Sequence, residues 1–269
     1  MHRSHSPLSV WFWAAYLVTS MTPGMSAVQF QRQLGLNRYE TAFQILHKLR
    51  AAMVRPHRDR IGNPFPIEMD ETWIGGRTRG EGRGHHHKTL VAGCVEQRQR
   101  RQKPELEGYL EPSKSLPRRG GFYAGRLRLA IIPDRSARSL ETFALESVQP
   151  STHITTDDWS GYGQLASKGY RLTQIPQRGD AAVSEAWLPL IHLAFGNLKT
   201  WLNGIHHGVS PQHLPAYLNE FTFRFNRRFY PFNAFRSLLG IVADTEPTTY
   251  EAFYNKANTS SPTRKMAEV

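Results

Sequence analysis

The chain has 269 residues and carries 34 Lys and Arg against 22 Asp and Glu, a formal net charge of +12. Its length is enough for a full core, alone or with a small appended domain, and its basic excess points to a polyanionic partner. A single cysteine, Cys94, excludes an intrachain disulfide and a Cys-x-x-Cys zinc ribbon and fits a reducing cytoplasm. Because the basic residues are interleaved with Trp, Tyr and Phe throughout, a solvated tail does not account for the charge.

The first element is the apolar run Leu8 to Val18. It is too short for a bilayer, which needs about 20 apolar residues, and no membrane association is expected. Its length suits a signal-peptide core, but three bulky aromatics and the basic body argue for a buried helix of an N-terminal domain. Gly24 to Arg55 then reads as two helices joined at Gly35-Leu36-Asn37, with Ser26 as N-cap of the first. In the second, Ala42, Ile45, Leu46 and Leu49 form an apolar stripe, and Arg38, Tyr39, Thr41, Gln44, Lys48 and Arg50 are expected to face outward. Two readings fit this pair: a helix-turn-helix whose basic face enters a major groove, and an ordinary helical hairpin. Arg55 to Arg60 reads as a basic linker.

From Ile67 the pattern changes. Strands are expected over Ile67–Ile74, Thr89–Val95, Arg126–Ile132, His153–Thr156 and Tyr170–Ile175. Helices are expected over Ala137–Val148 and around Trp159–Ser167, giving a mixed α/β sheet flanked by helices. Gln97 to Gly121 reads as a surface loop. So does Gly80 to Lys88, whose His85, His86 and His87 are more easily explained as a mobile basic loop near DNA than as a metal site. A long helix starts at Pro189, and another, over Pro211 to Phe225, has Ser210 as its expected N-cap. The segment from Lys256 to Val269 has the composition of a disordered tail.

Three places carry candidate chemistry. Asp70 stands in the middle of the first strand, in Glu68-Met69-Asp70-Glu71-Thr72, where the competing reading is an edge strand with acidic outward positions. Asp157 ends the fourth strand, where α/β sheets present functional groups; Asp158 beside it suits an N-cap. Carboxylates brought together from two strands repel unless a cation lies between them, which suggests Mg²⁺ or Mn²⁺. On the Pro189 helix, His192, Gly196, Lys199 and Asn203 share one face, with His192 and Lys199 two turns apart. Glu220, followed by Arg227 at the same spacing, competes with His192, although pairing with Arg224 at i,i+4 would also explain it.

The Asp70 strand, Thr156-Asp157 through Tyr162, Asn197 to Leu202, His206 to Ser210 and Glu220 to Arg228 together resemble a DDE-superfamily insertion-sequence transposase. The likeness is greatest to the ISXO-like subgroup, in which the third acidic residue is replaceable by Asn or His and a Lys follows. The resemblance spans Leu8 to Tyr254. It implies an RNase H-like catalytic domain over 61–255, preceded by a small all-α helix-turn-helix domain over 1–60, with a tail over 256–269. It also implies a cytoplasmic, nucleoid-associated enzyme that acts as a homo-oligomer on double-stranded DNA, at element ends and target. Asp70, Asp157 and His192 would be the site residues holding two Mg²⁺ or Mn²⁺ ions, and Lys199 would touch DNA. Glu68 would support the site from the same strand face, while Glu71 would point to the opposite one. Arg38, Lys48, Arg50, Arg224, Arg227 and Arg228 are the remaining candidate DNA contacts, with a salt-bridged surface as the alternative for the last three. Members of the subgroup usually begin with a Cys-rich zinc ribbon, absent from this sequence, which implies a shortened copy or altered end recognition. A non-cutting DNA-binding regulator and an RNase H-type nuclease are the rival readings.

Overall fold

The computed structural model describes residues 4–55, 58–75, 88–99, 121–176 and 186–244. Gly76, the His85–His87 loop, most of the Gln97–Gly121 segment and the Lys256–Val269 tail lie outside them. The elements are α1 (Leu8–Ser20), α2 (Ala27–Gln33), α3 (Tyr39–Ala51), β1 (Ile67–Ile74), β2 (Thr89–Gln99), β3 (Phe122–Ile131), α4 (Ala137–Ser147) and β4 (His153–Asp157). A 3₁₀ helix (Ser160–Lys168), β5 (Arg171–Ile175), α5 (Pro189–His206), α6 (Leu214–Arg227) and α7 (Pro231–Ala243) follow. They form two compact units. One contains the N-terminal helices and the chain from Leu198; the other contains Asp59–Trp73 and Leu90–Asn197. Among the described residues no helix is long and apolar enough to cross a membrane.

In the sheet unit the strand order is β3-β2-β1-β4-β5, a mixed sheet of the RNase H-like α/β class. β1 is therefore a central strand, which removes the edge-strand reading of its acidic residues. β2 and β3 are antiparallel, whereas β1 runs parallel to β4 and β4 to β5. Alternation along the strands assigns the two faces. Ile67 and Met69 of β1 and Leu90, Ala92 and Cys94 of β2 share a core with Leu140, Phe143 and Ala144 of α4 and Tyr162 and Leu165 of the 3₁₀ helix. On the other face, Gly93 admits the first turns of α5: a Cβ at that position would lie 2.8 and 2.9 Å from ring carbons of Phe195 and 3.0 Å from Ile191 Cδ1. The glycine thus allows a helix to approach closely the strand face that carries Glu68 and Asp70.

In the helical unit, Ser26 caps α2 as expected, its hydroxyl accepting from Gln29 N at 3.2 Å. Gly35 turns the chain toward α3 at φ 61°, a region that favours glycine. Ala42, Ile45, Leu46 and Leu49 of α3 are buried with Trp11, Ala14, Ala15 and Val18 of α1, and the same core takes in Phe223 of α6 and Ala234, Leu238 and Ile241 of α7. Linear reading did not bring the last helices together with the first, and α7 was not anticipated. Ser210 is not the cap of α6; that position falls to His213, because the residues after Ser210 form a turn before the helix begins.

The outward placement of Arg50 is also corrected. Arg50 is buried, with Nε 2.7 Å from Glu220 Oε2 and its guanidinium 4.0 Å from the Tyr217 ring centroid. Glu220 also accepts from Arg224 Nη1 at 3.3 Å, and Arg224 Nη2 donates to the carbonyls of Met21 and Thr22 at 2.5 and 2.6 Å. Arg50, Glu220 and Arg224 therefore tie α3, α6 and the turn after α1 into one ionic cluster.

Beside this cluster, burial and then the Arg50 charge hold His47 down to about pKa 3, and burial first of all holds His206 near 4. The unfolded chain takes up these protons below pH 6.5 while the folded chain refuses them, so acidification favours unfolding. From pH 6.5 to 5, His47 alone is expected to cost about 2 kcal/mol of stability, at ~1.4 kcal/mol per pH unit. Denaturant midpoints across this range check it, and a midpoint independent of pH below 6.5 would refute it.

Candidate active site

The site is built on the parallel pair β1 and β4. Their register pairs Ile67 with Ile154 and Glu68 with Thr155, and continuing it by two residues brings Asp70 level with Asp157. The adjacent first turns of α5 deliver His192, whose Nε2 lies 3.0 Å from Asp70 Oδ2. Three of the sequence candidates, Asp70, Asp157 and His192, thus fall in one half-buried patch.

Glu71, which alternation puts on the opposite face, where its partner Tyr162 lies, still brings a carboxylate oxygen to this patch. Its backbone N–H donates to Asp70 Oδ1 at 2.8 Å, which fixes the Asp70 carboxylate at that end. Oxygens of Asp70, Glu71 and Asp157 lie within 4.8 Å of one another. Glu71 is held there by the Tyr162 hydroxyl, which donates to Oε2, and by an ion pair between Arg135 and Oε1. Arg135 also reaches to 3.7 Å from Asp157 Oδ2, with its guanidinium 4.2 Å from the Trp159 ring centroid. Trp159 closes the loop: its indole N–H donates to the Arg135 carbonyl at 2.8 Å, and its backbone N–H donates to Asp157 Oδ1 at 3.2 Å. It is Trp159, not Asp158, that stands at the N-cap of the 3₁₀ helix.

The electrostatics follow from crowding acids in a partly dry place. Burial raises the Asp157 carboxyl above its ordinary value, and the Asp70 charge pushes the same way. Burial likewise raises Glu71. Burial and the Glu71 charge hold Tyr162 well above a normal phenol, which keeps its hydroxyl a donor. The patch thus presents oxygen ligands whose mutual repulsion a cation would relieve. Hard carboxylate donors suit Mg²⁺ or Mn²⁺, and His192 is the softer member of the set.

Glu68, two residues from Asp70 on the same strand face, is fully enclosed. One oxygen accepts from the first-turn amides of α5, Leu190 N at 2.7 Å and Ile191 N at 2.9 Å; the other accepts from Gln97 Nε2 at 3.3 Å. Burial raises its pKa to about 7, against the lowering pull of the two amide bonds.

Lys199 follows His192 by seven residues on the continuous α5 and is exposed. Of the other basic candidates, Arg38 is exposed at the N-cap of α3 and Lys48 is half-buried, 5.9 Å from the Trp11 ring centroid. Arg227 is half-buried over Phe223 at 3.8 Å, where burial and then the Arg55 charge lower its pKa to about 10. Arg228 is exposed and stacked 4.0 Å from Phe225. Arg50 and Arg224 are taken up internally, as described above. Sequence reasoning missed the Arg135–Trp159 support. The run Thr155 to Tyr162 contained Trp159, but nothing marked Arg135, which lies just after β3.

No curated protein and no solved structure matches the chain. The family described as the ISXO2-like transposase domain matches residues 63–226, a span that contains β1 through nearly all of α6 and every carboxylate of the site. With more than half of its length matched, the chain belongs to the ISXO2-like transposase family.

Proposed function

We propose that the protein is a DNA transposase that cuts the ends of its element and joins the freed 3′-OH to target DNA, using divalent metal ions at Asp70 and Asp157. The observation that carries this reading is the convergence of Asp70, Glu71 and Asp157 oxygens within 4.8 Å, with His192 on Asp70. Asp70 and Asp157 would hold two ions, Mg²⁺ or Mn²⁺, which would supply Lewis-acid activation of the attacking oxygen and stabilisation of the leaving oxygen.

The roles of the chain's own groups follow from their contacts. Asp70 and Asp157 are the ligands. His192 holds the Asp70 carboxylate in one orientation through its 3.0 Å contact. Arg135 and Tyr162 occupy the two oxygens of Glu71, which makes Glu71 a fixed negative charge beside the ligands rather than a free one. Lys199 meets a DNA phosphate near the scissile bond. The α2–α3 pair serves as a helix-turn-helix, with Arg38 and Lys48 toward the duplex and Arg227 and Arg228 as further phosphate contacts. Glu220 is not the third site residue in this reading, because Arg50 and Arg224 already neutralise it. The working form is a homo-oligomer on double-stranded DNA.

The test is a nicking assay on supercoiled plasmid carrying the element's ends. Nicks at the ends with Mg²⁺ and none with EDTA are expected. Binding to those ends without any metal-dependent cut would instead identify a non-cutting regulator.

A further inference from the structure

We propose that Glu68 is a positioning residue of this site, tying the first turn of α5 to β1 and so setting where His192 meets Asp70. The inference rests on the reading of His192 as a site residue. Its basis is a closed circuit of short contacts. From Glu68 the path runs two residues along β1 to Asp70, across 3.0 Å to the His192 ring, back along the α5 backbone to Ile191 and Leu190, and across 2.9 and 2.7 Å to a single Glu68 oxygen. The neighbouring Gly93 contact sets how near α5 comes to the sheet, and the Glu68 bonds to Leu190 N and Ile191 N fix the helix start along the strand.

The choice of a carboxylate also follows. The first amides of a helix have no partner within the helix, and a buried acceptor at that end meets both their hydrogen-bonding need and the positive end of the helix dipole. Gln97 Nε2 occupies the second Glu68 oxygen, so the side chain is held at both ends and cannot rotate away from the amides. Shortening it by one methylene would withdraw the accepting oxygen from α5. Replacing it with glutamine would keep an acceptor oxygen at nearly the same place.

Glu68→Ala and Glu68→Asp are therefore expected to slow end cleavage about 10²-fold, the size of loss that a misplacement of about 1 Å produces. DNA affinity should be unchanged, and Glu68→Gln should restore most of the rate. The decisive comparison is made in a His192→Ala background, where Glu68→Ala should add little further loss. Additive losses in the two variants would overturn the proposal, since a general support of the sheet would act whether or not His192 were present. A second readout needs no turnover. The ¹H–¹⁵N resonances of the His192 ring should move in Glu68→Ala and return toward their original positions in Glu68→Gln; resonances unmoved in Glu68→Ala would overturn the proposal even in a chain that cuts nothing. If His192→Ala itself cuts at the full rate, the catalytic reading of His192 fails, and the ring resonances still report separately whether Glu68 positions it.

Discussion

Asp70→Asn and Asp157→Asn are each expected to lower metal-dependent end cleavage by about 10³-fold or more while leaving affinity for the element ends within about twofold. Asparagine keeps the size of the side chain but replaces an anionic oxygen by an amide that donates, so an ion loses a charged ligand and several kcal/mol of transition-state stabilisation with it. Both side chains are only half-buried. Asp70 accepts from its neighbour's amide and meets His192, and Asp157 accepts from Trp159 and lies 3.7 Å from Arg135, contacts at the site that an asparagine oxygen can still make in part. The burial that raises the Asp157 carboxyl is relieved in the variant, so stability should not fall. His192→Ala is expected to cost less, about 10- to 100-fold, as is usual for a group that orients a ligand. Parallel gel-shift and plasmid-nicking measurements separate the two effects. A variant that still cut at a tenth of the original rate would remove its aspartate from the metal site.

The second large effect is on stability. Glu220→Ala is expected to cost about 3–5 kcal/mol, because it leaves the buried Arg50 guanidinium without its counterion. That is a large share of the ~5–15 kcal/mol that holds a typical domain together. Arg224 suffers less, since its other nitrogen keeps the carbonyls of Met21 and Thr22. Arg50→Met combined with Glu220→Leu should recover much of the loss, as the pair is exchanged for apolar packing. Denaturant unfolding of the two single variants and the double variant gives the coupling directly. Single-variant losses below about 1 kcal/mol would mean that the buried pair is not what joins α3 to α6. The same series bears on the site, because it predicts that Glu220 variants fail by unfolding and not by losing a ligand.

The sheet was legible because each strand announces itself locally. Ile67–Ile74 was read to the residue, and the other strands differed only at their ends, where β2 continues to Gln99 and β3 starts at Phe122. The candidate patch was legible in its strand-borne and helix-borne members: the middle of β1, the end of β4 and one face of α5 follow from alternation and from helical spacing. What alternation did not show is that Glu71, held on its own face by Arg135 and Tyr162, neither of them near it in sequence, also brings an oxygen within 4.8 Å of the Asp70 and Asp157 oxygens. Arg50 was misplaced for a related reason. It follows Leu46 by one helical step of four and so lies on the buried stripe; its charge argued for solvent, and the partner that makes burial tolerable is 170 residues away. Helix α7 follows the matched family span and packs against α1, a pairing that no local pattern encodes.

The most direct test of the metal site is anomalous diffraction from crystals of the full chain grown with Mn²⁺. Anomalous Mn²⁺ peaks are expected at the Asp70 and Asp157 carboxylates. Saturating Mn²⁺ with no peak at those two carboxylates would contradict the metal site.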